Sequence, residues 1–538
     1  MNKLNYLSLA AIATLGLASC SSDEPANGSN DQDVNGDHYM AVTIRTAGMG
    51  GTKAAVAGTP EFEEPAAGSN EGTVTKDNIY FYFFDAEGNP FQLSPANVNG
   101  DVATNVVQPL EINSPSNTNG ATPDAIQGVL VLGKAANEGY VGTTPAQMLC
   151  VANPVANNLD AYANKPLSQV LELATTNSGL PALTNFVMTS STYVDGGEKI
   201  VATDVTDKFA TTPDAAKANP ATIYLERVAA KVRAHGLGDY RPQYKDAEGN
   251  IVADYQWKVN NENVDLQVTL DGWRLTNIST SSLAFKNVAA DGNYFTGWNA
   301  PELHRCYWAL SEVSNPLVNK ITSFNIWDAS QWTRGNFNAD QPTVNIAYTY
   351  ENTQYATSQY TTSATDRMSN ATGILVKATV RMRPSGTTGD FQDVELVRWA
   401  GAYYTEAELK SMIIANYNVA HSANLTADAV SFVKDTAPNR WKAQIINAAG
   451  TVIDWSENYN NIMRWIGGAT SYYLNIEHLG GLYGVVRNHI YDYTVNGVIG
   501  LGVPGNDPEN PKPEDETFLA AHVNILNWHV VSNIVTLE

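Results

Sequence analysis

Cysteine is scarce in this chain: 538 residues carry three, Cys20, Cys150 and Cys306. So few in so long a chain exclude a disulfide framework. Cys150 (in AQMLCVANP) and Cys306 (in HRCYW) sit in apolar, strand-like contexts and read as buried thiols, with a Cys150–Cys306 bridge as the alternative in an oxidising compartment. Charge is thin too, at 16% of residues, below the usual quarter. The 32 Lys+Arg against 55 Asp+Glu leave a net charge of −23, which argues against nucleic acid or an anionic membrane surface as a partner. The eight histidines are scattered. No HExxH, GxSxG, paired CxxC or dinucleotide fingerprint occurs. His489 and Asp492 (RNHIYDY) would face opposite sides of a strand, so His489 reads as structural. Glu63 and Glu64 lie in a loop with no apolar pocket to shift their pKa. Asp31, Asp33, Asn35 and Gly36 open a calcium-loop pattern, but Val42 stands where its closing Glu belongs. The chain is therefore expected to be no enzyme and to need no metal or cofactor.

Long apolar runs are missing everywhere except near the start. MNKLNYLSLAAIATLGLASC places Lys3 before a short apolar run and small residues before a cysteine, the pattern of a secretory signal over residues 1–19. Leu17-Ala18-Ser19-Cys20 resembles a bacterial lipobox, in which the cysteine is acylated and becomes the mature N-terminus. Residues 20–37 are Ser, Asn, Asp and Gly with almost nothing apolar, a tether.

What the chain has in abundance is strand pattern. HYMAVTIRT alternates Met40, Val42 and Ile44 on one face. A loop rich in Gly, Ala and Pro follows, holding Lys53, an accessible site for a trypsin-like protease. Arg45 is the other basic candidate, less accessible within the strand. From Ile79 strand follows strand, and the turn DAEGN occurs twice, the second time at Asp246–Asn250. Lys165–Thr176 and a stretch near Thr405–Asn418 read as helices. Without regular strand–helix alternation the chain is mostly β, two β-sandwiches with a few short helices, divided near Tyr224–Val228 into residues 38–227 and 228–502. Most of the eleven tryptophans are assigned to the cores.

The end of the chain is unusual. Residues 503–517 carry Pro504, Pro508, Pro511 and Pro513 among polar residues, an extended spacer. Residues 518–538 then set Leu519, Ala521, Val523 and Ile525 in alternation, followed by Trp528, Val530, Ile534 and Leu537. That tail is either the last strand of its own sandwich or a strand that completes another copy's sheet.

Several stretches together resemble the fimbrilins of type V pili, nearest the major-subunit family of the short fimbria. They are the lipobox, YMAVTI, GGTKAA with Lys53, MLCVANP, YLERVAAKV, VVRNHIYDYTVNGVIGLG and ETFLAAHVNILNWHVVSNIVTLE. The middle of the second domain carries little of the resemblance. The resemblance implies two transthyretin-like β-sandwich domains, lipidation at Cys20, and an outer-membrane lipoprotein precursor that becomes an extracellular fimbrium. It implies cleavage after a basic residue in the loop behind the first strand, by a trypsin-like protease. Where that family presents Arg, this loop offers Lys53; an Arg-only protease would have to use Arg45. Removal of Met40, Val42 and Ile44 would open a slot for a neighbour's tail, giving a head-to-tail polymer with accessory anchor and tip subunits. The rival roles are a tip or anchor subunit, or a surface glycan-binding lipoprotein.

Overall fold

The computed structural model describes residues 38–46, 76–93, 104–109, 111–113, 126–132, 145–154, 163–176, 186–236, 238–279, 281–288, 299–311, 346–353, 371–435, 440–453, 458–478, 482–505, 518–527 and 535–536. The principal elements, in chain order, are β1 (His38–Thr46), β2 (Ile79–Phe84), β3 (Ile126–Leu132), β4 (Gln147–Ala152), α1 (Leu167–Leu171), β5 (Met188–Ser190), β6 (Ala221–Arg227) and β7 (Ala229–Gly236). They continue with β8 (Glu262–Thr276), β9 (Ile346–Tyr350), β10 (Gly373–Pro384), α2 (Glu406–His421), β11 (Ala469–Asn475), β12 (His489–Ile499) and β13 (Phe518–Asn527). Residues Gly36–Glu538 form one compact unit; the other unit, Met1–Asn35, lies outside the described residues.

The first half builds one nine-stranded sheet, whose path runs Val106–Val107, β2, β4, β5, β6, β1, β3, Glu111–Asn113. The sheet curls, because Phe81, Phe83, Met148 and Cys150 from one arm share a core with Met40, Val42, Leu130 and Ile223 from the other. Alternate residues of β2 and β4 (Tyr82, Phe84, Leu149, Val151) bury against Val170 of α1 and Phe285 on the opposite face. With both faces covered, these strands read as unbroken apolar runs.

The second half is a sandwich. A five-stranded sheet, in the order β9, β7, β12, β13, Val535–Thr536, packs on a ten-stranded one built around β8, β10 and β11. In β8, Val264, Leu266, Val268 and Leu270 alternate inward. A bulge between Leu270 and Gly272 then shifts the phase by one residue, so that Trp273 and Leu275 continue the core face. Helix α2 starts where the Thr405 hydroxyl accepts the Glu408 N–H at 3.3 Å, and buries Leu409, Ile413 and Tyr417 at fourfold spacing.

One expected element is corrected. Lys165–Thr176 is not a single helix: α1 stops at Leu171, and Ala174–Thr176 is a strand paired with Ser281–Leu283. The β-branched Thr175 and Thr176 suit the pleated pairing better than a further helical turn. Tryptophans 257, 273, 308 and 465 are buried core residues. Cys150 and Cys306 are separate, buried thiols, and burial raises the pKa of both.

Candidate functional site: an inner first strand and a terminal edge strand

β1 lies inside its sheet. It pairs parallel with β6 from Val42↔Ala221 to Thr46↔Leu225, and antiparallel with β3 from His38↔Leu132 to Ile44↔Ile126. A short bridge to Ala210 holds its start, with the Tyr39 N–H donating at 2.7 Å and the Tyr39 carbonyl accepting at 2.9 Å. Met40, Val42 and Ile44 are 0%, 1% and 4% exposed, so the face chosen by alternation is the core face. Taking such a strand out exposes three apolar side chains, each contributing about 1.5–3 kcal/mol. It also strips partners from two strands at once. Because β6 is parallel and β3 antiparallel to β1, the two walls of the vacated slot run opposite ways. Any strand entering it is parallel to one wall and antiparallel to the other.

The same four-strand neighbourhood recurs in the second half. β7 lies between β12, parallel, and β9, antiparallel, just as β1 lies between β6 and β3. The far side of β6 is covered by β5, a strand that precedes it in the chain. The far side of β12 is covered by β13, which follows it, with Leu519, Ala521, Val523 and Ile525 opposite Val498, Val495, Tyr493 and Tyr491. The chain's terminal segment thus occupies an edge that in the first half is closed by an internal strand. In this single chain the tail rests on its own body.

Between the two halves lies a buried polar seam. β6 ends at Arg227, Val228 interrupts the ribbon, and β7 begins at Ala229 in the other sheet. Glu226 pairs with Lys286, both side chains 1% exposed, and accepts a hydrogen bond from Ser191. Burial opposes ionisation of Glu226, but Lys286, Arg305 and the hydrogen bonds from Lys286 and Ser191 outweigh it and hold the carboxyl below its usual range. The Asn488 N–H donates to the Ala229 carbonyl at 2.8 Å, and Arg305 Nη2 donates to the Asn488 carbonyl at 2.8 Å. His478 shares hydrogen bonds with the Tyr491 hydroxyl at 2.8 Å and the Tyr307 carbonyl at 2.9 Å. Burial drives its pKa down to about 3. Burial, reinforced by Arg305, likewise lowers the pKa of His489. Asp492 pairs with Arg233 at 2.9 Å, away from His489 and on the other face of β12. The YLERVAAKV and VVRNHIYDY stretches thus meet here, a juxtaposition that their separation of more than two hundred residues hides.

Of the residues singled out in the sequence, Cys20 and Lys53 lie outside the described residues, as do Trp528, Val530, Ile534 and Leu537. Arg45 sits in β1 opposite Tyr224. Among the described residues no His/Cys/Asp/Glu group has metal-binding geometry, and no helix is long and apolar enough to cross a membrane.

Residues 465–533, which span β11, β12 and β13, match the family model described as major fimbrial subunit protein type IV, fimbrillin, C-terminal. No curated protein matches the chain. Among solved structures, a candidate cell adhesion protein from Parabacteroides distasonis aligns at 14% identity and TM-score 0.37, over 93% of this chain and 99% of that one. The tip fimbrial protein Mfa3 from Porphyromonas gingivalis, with a C-terminal truncation, aligns at 12% identity and TM-score 0.29, over 91% and 99%. A fimbrial assembly protein from Parabacteroides distasonis aligns at 12% identity and TM-score 0.25, over 78% and 99%.

Proposed function

We propose that this chain is the structural stalk subunit of a cell-surface fimbria that serves adhesion or biofilm formation. Polymerisation would proceed by exchanging β1 for the tail of the next copy. The observation that carries this reading is the inner position of β1, a strand buried on both sides yet placed at the start of the described chain. The fimbrillin match over the region ending in the tail supports it.

In this reading the chain is exported as a lipoprotein precursor acylated at Cys20 and held at the outer membrane. A trypsin-like protease cuts at Lys53, or failing that at Arg45, and frees β1 from the body. β1 is then held only by its sheet contacts and can leave. The neighbour's tail refills the slot by β-strand addition. About ten backbone hydrogen bonds at about 1 kcal/mol net each, with several apolar side chains, set an upper limit on the gain, since the departing strand made similar contacts. Loss of the covalent link turns a balanced swap into a forward one. Donor and slot are different surfaces, so the contact is head-to-tail and does not close, and a filament with anchor and tip subunits at its ends results.

The test is truncation. A chain lacking Phe518–Glu538, trimmed by trypsin and run on non-boiled gels, is expected to stay monomeric yet cap filaments of the full chain. Ladders formed by the truncated chain alone would overturn the donor role of the tail.

A further inference from the structure

The second DAEGN turn, at Asp246–Asn250, closes a hairpin that pairs Tyr244–Lys245 with Ile251–Val252. Beside it opens a cleft of about 230 Å³ lined by Tyr244, Lys245, Tyr255, Lys258, Arg398 and Tyr403 among others. We propose that this cleft binds one carboxylated sugar ring, of the uronic or sialic acid class.

The aromatic groups are organised rather than merely close. Tyr244 and Tyr255 stack at 3.9 Å between centroids, 14° from parallel. Both stand edge-on to Trp257, which in turn stands edge-on to Tyr403 at 5.7 Å. Two indoles anchor the group: Trp257 Nε1 donates to the Pro242 carbonyl and Trp465 Nε1 to the Leu501 carbonyl, each at 3.0 Å. Both tryptophans are buried, whereas Tyr244, Tyr255 and Tyr403 are half-buried and Lys258 is exposed. A wall of fixed, part-exposed aromatic rings suits the C–H faces of a pyranose, because it offers apolar area at little cost in side-chain entropy.

Charge selects the kind of sugar. The lining carries Lys245, Lys258 and Arg398 and no carboxylate, in a chain of net charge −23. Such a cleft favours an anion and repels a quaternary ammonium, the usual guest of an aromatic cage. A bare phosphate would use the cations and leave the aromatic wall idle. The volume lies below the roughly 300 Å³ at which drug-sized pockets begin, which limits the guest to about one ring.

This proposal stands apart from the assembly reading, since a chain that never polymerises can still bind sugar. Calorimetric titration of the full chain with sodium glucuronate and with sodium N-acetylneuraminate is expected to show binding by at least one. Glucose should bind at least about tenfold more weakly, and added salt should weaken the acid's binding. Lys258→Glu and Tyr255→Leu should each lower affinity about tenfold or more, with Lys217→Glu, in the first half, as the neutral control. Because Lys258 is exposed, its variant should keep the parent's circular dichroism and melting temperature. Equal binding of glucose and both acids, no binding of either acid, unchanged affinity in both cleft variants, or full displacement by inorganic phosphate at equal concentration would each overturn it.

Discussion

Arg487 and Glu351 form a fully buried ion pair, each side chain 1% exposed, with Nε and Nη2 of the arginine 2.8 and 2.7 Å from the same carboxylate oxygen. The other carboxylate oxygen accepts the Arg487 backbone N–H at 3.2 Å. The remaining guanidinium donors reach the Ala284 and Leu283 carbonyls at 3.0 and 2.7 Å. With a further hydrogen bond to the Ser282 hydroxyl at 2.9 Å, the arginine ties the loop before β12 to the Ser281–Leu283 strand and to Ala284 just after it. Removing one partner strands a buried charge, which costs about 3–5 kcal/mol. Glu351→Ala is expected to lower the urea midpoint accordingly, and Glu351→Leu with Arg487→Leu to recover part of the loss. A double-mutant cycle that reads no coupling would contradict this.

The seam histidines set an acid limit. Their ordinary pKa is 6.5, whereas in the folded chain His478 lies at about 3 and His489 well below its ordinary value. The unfolded chain binds protons first as pH falls. Stability should be full above about pH 6.5 and decline toward pH 3, by up to about 1.4 kcal/mol per pH unit for each histidine. Urea unfolding at pH 7, 6 and 5 checks the slope, and His489→Gln should roughly halve it.

The proposed gating by cleavage has its own signature. Lys53→Ala combined with Arg45→Ala is expected to leave the lipidated precursor unpolymerised, with its N-terminus unchanged on surface protein sequencing. Normal fimbriae from the double variant would refute gating by a trypsin-like protease.

The proposed slot should be selective for alternation. A His38–Thr46 peptide supplied to chains that have lost β1 should protect them from aggregation, because Met40, Val42 and Ile44 refill the buried face. The same peptide with Val42→Asp should fail, since it would bury an unpaired carboxylate. Equal protection by both peptides, followed by light scattering, would contradict the core-face assignment.

Much of this architecture was legible beforehand because its signal is local. The alternation of β1 and of β8 up to its bulge names strands and faces without any partner, that of β13 names a strand, and the Thr405 cap and i, i+4 apolar spacing mark α2. Lys165–Thr176 misled because its apolar residues suit a helix or a half-buried strand, and pairing with Ser281–Leu283 decided between them. The buried face of β1 could be named from Met40, Val42 and Ile44, but not its neighbours: parallel pairing with β6 joins residues about 180 apart. The seam was invisible for the same reason. Glu226, Lys286, Glu351 and Arg487 come from four distant stretches, and a lone charge in a strand reads as surface until its partner arrives.

The central claim is that the tail leaves its own sheet for a neighbour's. Val495 and Ala521 are antiparallel partners across β12 and β13, and such pairs sit about 4.5–5.5 Å apart at Cα, within disulfide reach. A chain carrying Val495→Cys and Ala521→Cys, oxidised before protease treatment, should be locked as monomer and should form filaments once dithiothreitol is added. Filaments growing equally well from the oxidised and reduced chains would show that the tail never has to move.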